Sequence, residues 1–261
     1  MNALLASKAC DITGVVAVAC ARHGCYVPNA LVDLYLGEQQ KNVDFGIVKA
    51  VHLTNIHPKQ GLLLIYDIVC QYIVHFLFRI GHLLPDGIDV DAAIGLFHVH
   101  AHKEDCFFRF ASTFIPGAGI VAGEILESLW STLNKISPSA RTATLAHRAE
   151  LLDDHTTDSN HKKMLGMVSS LSKNYQKAVD MSLIAEEYYA NLTREAGPTA
   201  IGLWEVDICR AESCRIDDRS AMDIYATKFE EPTVPVSAPL DPSGSALENW
   251  MTFALTVEDK Q

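Results

Sequence analysis

The sequence has little positive charge. It contains 21 Lys and Arg against 32 Asp and Glu, which gives a net charge of −11 and an isoelectric point near 5.4. Proteins that hold DNA through its phosphates normally carry an excess of basic residues. The charge therefore argues against strong nucleic-acid binding by this polypeptide alone, although an acidic average can conceal a local basic face.

The sequence also lacks a long apolar run. Spanning a bilayer takes about 20 apolar residues, and the longest candidate, residues 61–80, is interrupted every four positions by Asp67, Gln71, His75 and Arg79. The first residues, MNALLASKACD, lack the charged start and apolar core of a signal peptide. With seven cysteines, an odd number, we expect an intracellular protein whose thiols are free or metal-bound.

Several catalytic signatures are missing. The sequence contains no P-loop, no G-x-G-x-x-G, no G-x-S-x-G and no H-E-x-x-H, and C-A-R-H-G-C at residues 20–25 is not a C-x-x-C pair. Nucleotide-binding, serine-hydrolase, zinc-protease and dithiol-redox functions therefore have no motif to support them.

The stretch GLLLIYDIVCQY, residues 61–72, organises the rest of the chain. Residues 62–66 carry no charge and run directly into Asp67, a pattern typical of a strand that is buried on both faces. An aspartate at such a strand end is well placed for catalysis or metal binding. The alternative, which the local pattern favours, is that Asp67 caps a helix predicted over about 68–80.

Hydrophobic patterning predicts an α/β protein. We expect strands at 14–20, 25–27, 30–35, 61–67 and 92–102, and helices from Asn42 to Pro58, over 68–80 and over 124–136. Residues 106–114 fit either type. This order argues for a sheet domain over 1–137. A helical extension follows at 138–200, with a break near 156–159. An acidic tail follows at 201–261, partly disordered, with a linker at 229–246.

Two sets of residues could carry chemistry. Asp67 at a strand end, and Glu124 and Glu127 at the start of a later helix, bring acids from two separate elements, as metal-assisted phosphoryl transfer requires. Alternatively, both glutamates simply favour a helix N-terminus. If 92–102 is a strand, one of its faces carries His98, His100 and His102. With Cys106, these histidines are candidate zinc ligands. Cys20, His23 and Cys25 could join them. The alternative is that these are ordinary core or surface histidines.

Five motifs taken together resemble a known family. In order, they are CARHGCYVPNALVDLYLGEQQKNVDF, LIYDIVCQY, GLFHVHAHKEDC, FIPGAGIVAGEILESLWSTLN and ARTATLAHRAELLDDHTTDSNHKKM. This series resembles the KDZ (Kyakuja–Dileera–Zisupton) transposases, which are abundant in mushroom-forming fungi. The resemblance covers roughly residues 10–180.

The resemblance implies an RNase H-like core that cleaves and joins DNA in the nucleus with Mg²⁺ or Mn²⁺. The family motif Y-D-x-x-C-Q makes Asp67 the second acid of a catalytic triad. The pattern D-G-E-x-x-E-x-x-W ends at Trp130. It makes either Glu124 or Glu127 the third acid and does not decide between them. The element 98–106 would bind zinc or brace the site.

Two departures bear on activity. The family's first acid lies upstream of the C-A-R-H-G-C region, and the D of D-G-E is Ala122 in this chain. We therefore expect an incomplete RNase H-like sheet, truncated at the N-terminus, with the ancestral strand-transfer activity absent from this fragment. The alternative is a non-enzymatic remnant that acts at most as an interaction module.

Overall fold

A computed structural model gives the structure of the protein and describes residues 11–119 and 121–225. The first two strands, β1 (Gly14–Ala19) and β2 (Tyr26–Leu34), form an antiparallel hairpin. The prediction of a hairpin here is confirmed. The pair Pro28-Asn29 does not split β2, because Asn29 takes a φ of 57° and the register shifts between Ala17 and Ala19. A bulge thus absorbs the extra residues.

Helix α1 (Gln40–Thr54) packs on the hairpin through a buried face that includes Val43, Ile47 and Val51. It begins before the predicted cap, Asn42. It also ends before Pro58, because Asn55 adopts a left-handed φ of 49°. A single non-glycine residue in this conformation is a common way to end a helix.

The predicted central strand forms as β3 (Leu62–Ile65) and pairs in parallel with β4 (Val90–Ala93). Its side chains are half-buried rather than fully buried. The helix expected over 68–80 forms in pieces: α2 (Val69–Tyr72), a 3₁₀ turn (Ile73–His75), and α3 (Phe76–Ile80). Tyr72 and Phe76 of this segment are fully buried.

A buried charged network fastens this segment to α1. Asp44 of α1 is 8% exposed. It accepts a hydrogen bond from the Tyr72 hydroxyl and two from Arg79, at 2.8 and 3.0 Å. Burial first, and then the Asp44 carboxylate, raise the pKa of Tyr72 above its ordinary value. The network fixes the helices that follow Asp67, because removing one member would leave a buried charge without its partner.

The strand predicted over 92–102 is wrong beyond its first residues. The chain leaves the sheet after Ile94, forms α4 (Leu96–Val99), and after a turn continues as α5 (Glu104–Phe110). Glycine at position 95 permits the change of direction, because it lets the Glu124 carboxylate approach and accept the amide proton of Phe97 at 3.1 Å. The three histidines consequently do not share a strand face.

The C-terminal half is helical, with α6 (Ile125–Leu133), α7 (Ser137–Thr142), α8 (Leu145–Ala196) and α9 (Pro198–Cys214). The helix predicted over 124–136 is confirmed. The predicted break near 156–159 is wrong, because α8 runs through it. Asn160 explains the continuity. Its side-chain oxygen accepts a hydrogen bond from the Tyr26 N–H at 2.8 Å, and its side-chain NH₂ donates to the Tyr26 carbonyl at 2.9 Å. The polar stretch therefore anchors α8 to β2.

Part of the predicted acidic tail is folded. The boundary expected at 200/201 falls inside α9, and a 3₁₀ helix (Ala221–Tyr225) follows it. Arg215 is buried and donates to the carbonyl of Arg109, at 3.2 Å, and Arg109 donates to that of Arg215, at 3.0 Å. These bonds hold the segment against α5. The predicted linker at 229–246 lies outside the described residues.

The mixed α/β class is confirmed. The hairpin and the β3–β4 pair are separate two-stranded sheets that contribute to one hydrophobic core. Side chains from both sheets pack against this core, among them Val16 and Val18 from the hairpin and Leu62 and Leu64 from β3. Within the described ranges, no helix is both long enough and apolar enough to cross a membrane.

Candidate metal centres

Asp67 lies in the turn that follows β3, and its side chain is 56% exposed. The preceding residue, Tyr66, is still held to the sheet by a hydrogen bond from its N–H to the carbonyl of Ala93, at 3.0 Å. The interpretation of Asp67 as a helix cap is wrong: the cap residue of α2 is Ile68, and no side chain caps that helix. The carboxylate is therefore available at the edge of the sheet.

His98 lies in α4 and faces two acids. Its Nε2 is 3.7 Å from Asp67 Oδ2, and its Nδ1 is 2.9 Å from Glu124 Oε2. With Nδ1–H donating to Glu124, the lone pair of Nε2 points toward the side of Asp67. A carboxylate that fixes the tautomer of a histidine in this way is the usual support behind a metal-bound imidazole.

Two glycines allow Glu124 to reach His98. A Cβ on Gly95 would lie 2.2 Å from Glu124 Oε1, and a Cβ on Gly123 would lie 2.9 Å from the Cα of Gly95. Gly123 also has a φ of +78°, a conformation that favours glycine. Gly123 and Glu124 therefore form a close-packed turn, and the Glu124 carboxylate is directed at α4.

Glu127 lies in the first turn of α6 and is exposed. One oxygen of Glu127, one oxygen of Asp67 and one ring nitrogen of His98 all lie within 4.8 Å of one another. The first candidate centre is this group of three. Two carboxylates and an imidazole suit a divalent ion such as Mn²⁺, because carboxylate oxygens are ligands for Mg²⁺ and Mn²⁺ while imidazole prefers transition metals. The residues thus fit a divalent ion.

A second group lies one helical turn further along the same segments. Ligand atoms of Cys70, His102 and Cys106 lie within 4.8 Å of one another, and Cys70 Sγ is 3.6 Å from His102 Nδ1. Cys106 is buried, and the other two are half-buried. Burial, followed by the nearby Cys70 and Asp105, raises the pKa of the Cys106 thiol to about 11.

The predicted histidine cluster is divided between these groups. His98 belongs to the first, and His102 and Cys106 belong to the second. His100 belongs to neither and instead places its ring against Phe107, with 5.2 Å between centroids. Sequence reasoning missed Cys70 as a partner of this cluster, and the signal available was its place three residues after Asp67.

The cysteines and histidine of the hairpin turn stand apart. Cys20 Sγ lies 3.3 Å from His23 Nδ1, and burial followed by Cys20 raises the pKa of Cys25. In the part of the chain that the structure describes, neither group of candidate ligands includes these three residues. The structure thus does not join them to the element at 98–106.

A model of the Kyakuja-Dileera-Zisupton transposase family matches residues 2–160. The chain belongs to this family. No curated protein and no solved structure matches it. In this Kyakuja-Dileera-Zisupton protein, the matched range runs from before β1 into α8 and ends at Asn160. It includes all six residues of the two candidate centres.

Proposed function

We propose that this transposase-derived protein carries the metal-binding part of a DNA-cleaving centre, formed by Asp67, Glu127 and His98. The observation that supports it most is the convergence of their ligand atoms within 4.8 Å, from three separate elements, inside a transposase family match. Oxygen–metal distances of roughly 2.0–2.6 Å allow two such oxygens to share one ion. When bound, a divalent ion would activate the attacking water or 3′-hydroxyl and neutralise charge on the leaving oxygen.

Within this proposal, Glu127 is the third acid and Glu124 is a positioning residue. Both oxygens of Glu124 are already engaged: Oε1 accepts from the Phe97 N–H at 3.1 Å and Oε2 meets His98 Nδ1 at 2.9 Å. Glu127 is exposed, and among the described residues no hydrogen bond or ion pair engages its side chain. Glu124 therefore orients the imidazole, while Glu127 supplies the free carboxylate.

The architecture that goes with this function is an incomplete RNase H-like sheet. An antiparallel hairpin, a covering helix α1 and a parallel β3–β4 pair occur in this order, and Asp67 follows the end of β3. Both pairs of strands pack into one core, as two parts of a single mixed sheet would. The same proposal makes DNA the partner and the nucleus the location, as implied by the family.

The donor set suits a single ion, whereas strand cleavage by the two-ion mechanism needs further carboxylates. At the position of the D in D-G-E, Ala122 is exposed and offers only its carbonyl, which accepts from the Leu96 N–H at 2.8 Å. We therefore propose that this chain binds one Mn²⁺ and does not nick DNA by itself.

The test is calorimetric titration of the full chain with Mn²⁺, combined with a plasmid-nicking assay. We expect about one ion per chain, a loss of at least 100-fold in affinity for Asp67→Asn, and no change for Asp86→Asn, an exposed loop aspartate outside the group. Equal Mn²⁺ binding by Asp67→Asn and the wild type would refute the metal site. Nicking by the wild type that Asp67→Asn abolishes would instead show a complete catalytic centre.

A non-enzymatic interaction module is the second candidate, and α8 favours it. Of the 52 described residues of α8, Leu152 alone is buried. Large apolar side chains of this helix are exposed to solvent: Leu165 is 74% exposed, Val168 81% and Tyr175 72%. A chain that neither binds Mn²⁺ through Asp67 nor nicks DNA would agree with this candidate.

A further inference from the structure

We propose that Cys70, His102 and Cys106 form a structural zinc site that clamps together the two segments bearing Asp67 and His98. The three side chains come from α2, from the turn after α4 and from α5. Cys70 lies more than 30 positions before His102 and Cys106 in the sequence, so the fold brings it to them. The site is distinct from the proposed Mn²⁺ centre and does not depend on it.

The geometry fits a tetrahedral ion. With Zn–S bonds of about 2.3 Å and Zn–N bonds of about 2.0–2.1 Å, ligand atoms in a tetrahedron lie about 3.4–3.8 Å apart. Cys70 Sγ and His102 Nδ1 are already 3.6 Å apart, and all three ligand atoms lie within 4.8 Å. Small side-chain movements are therefore enough to bring the three ligand atoms to the spacing that zinc requires.

The ligand chemistry selects zinc over the hard ions of the first centre. Two thiols and an imidazole are soft or borderline ligands, which favour Zn²⁺ and disfavour Mg²⁺ and Mn²⁺. All six cysteines of the described residues are free thiols, so none is committed to a disulfide. Cys106 is a buried member of the main hydrophobic core, which also includes Val99 and Phe110, and this burial would hold a thiolate ligand in one orientation.

The position of the site gives it a structural role. Asp67 precedes Cys70 by three residues, and His98 precedes His102 by four. An ion on the second group therefore fixes the turns that carry two ligands of the first. In the described residues, α2 and α4 are short helices of four residues each, which have little stability of their own.

The test is metal analysis of the full chain purified in reductant, followed by replacement of the ion with Co²⁺. We expect about one zinc per chain and, for the Co²⁺ form, an intense near-ultraviolet band from thiolate-to-cobalt charge transfer. Zinc affinity should fall at least 100-fold in Cys106→Ser and in Cys70→Ser. It should change less than twofold in Cys209→Ser, an exposed cysteine of α9, and in His100→Ala.

The Co²⁺ spectrum is measured on the wild type, so it remains decisive if a cysteine variant fails to fold. Absence of the charge-transfer band, or zinc binding that survives both cysteine substitutions, would overturn the proposal. Retained zinc in Asp67→Asn, alongside lost Mn²⁺ binding, would show that the two sites are separate. A failure of Mn²⁺ binding with intact zinc binding would refute the proposed function alone.

Discussion

Asp67 and Cys70 lie three residues apart, and His98 and His102 lie four apart. The first residue of each pair, Asp67 or His98, belongs to the first candidate centre, and the second, Cys70 or His102, belongs to the other. Each centre then takes its third ligand from a different helix: Glu127 from α6, and Cys106 from α5. Because residues three or four apart share a helix face, two short turns are enough to build two neighbouring sites.

The two centres differ in burial as well as in ligands. The oxygen-rich group is exposed at Asp67 and Glu127, whereas the sulfur-rich group includes the buried Cys106. If the proposed ions bind, the exposed site leaves its ion open to a large substrate, whereas the buried site would mainly stabilise the fold. The comparison indicates that the first centre is suited to chemistry and the second to structure.

The largest expected contrast is in stabilisation by metal. Zinc at about 1,000 times its Kd should raise the free energy of unfolding by about 4 kcal/mol, because only the folded chain assembles the site. Mn²⁺ at the same concentration should add less than about 1.5 kcal/mol, since its site is exposed and has weaker ligands. Urea denaturation with each ion, and with a chelator, measures both values.

The control for this contrast is Cys106→Ser, which should gain nothing from zinc and keep its response to Mn²⁺. Equal stabilisation of the wild type by the two ions would contradict the division into a structural and a chemical centre.

The next largest effect is on the free energy of unfolding, from a substitution in the turn that supports only the first centre. Gly123→Ala should lower the free energy of unfolding by about 2–4 kcal/mol. Its Cβ would lie 2.9 Å from the Cα of Gly95, and its φ is +78°, so overpacking adds to conformational strain. Chemical denaturation of the variant and the wild type measures the difference.

Gly117→Ala is the matched control, because Gly117 has a φ of +76° but open space around it. It should cost only about 1 kcal/mol, the strain of the conformation alone. A cost for Gly123→Ala no greater than for Gly117→Ala would show that the close approach to Gly95 is unimportant.

The smallest effect tests the positioning role of Glu124. Glu124→Gln should weaken Mn²⁺ binding about tenfold, because an amide no longer fixes the tautomer of His98 as a carboxylate does. Zinc affinity should stay within twofold of the wild type. Calorimetry with each ion checks this, with Glu150→Gln, an exposed glutamate of α8, as the control; a 100-fold loss would instead make Glu124 a ligand.

Much of the fold followed from local patterns. The strand at 14–20, helix α1, the strand before Asp67 and the helix at 124–136 were all predicted, because each is a short hydrophobic pattern with a clear period. The prediction failed where tertiary contacts override the pattern. The alternation of histidines indicated a strand at 92–102, but the carboxylate of Glu124 accepts the Phe97 amide proton and the chain turns into α4.

The same reason explains the continuity of α8. A polar stretch at 156–159 resembles a loop, and only the contact of Asn160 with Tyr26 shows why it stays helical. The division of the candidate ligands likewise could not be predicted. Linear spacing placed His98, His100 and His102 together, whereas the helical turns direct them to an acid pair, an aromatic ring and two thiols.

The sequence by itself determined the family, the mixed α/β class and the candidate acids Asp67, Glu124 and Glu127, because these depend on residue identity and order. Only the tertiary structure decided which glutamate stands free and which is committed to His98, because that depends on two glycines that let α6 approach α4. It also brought Cys70 to His102 and Cys106, because ligands distant in sequence meet only when the elements that carry them pack.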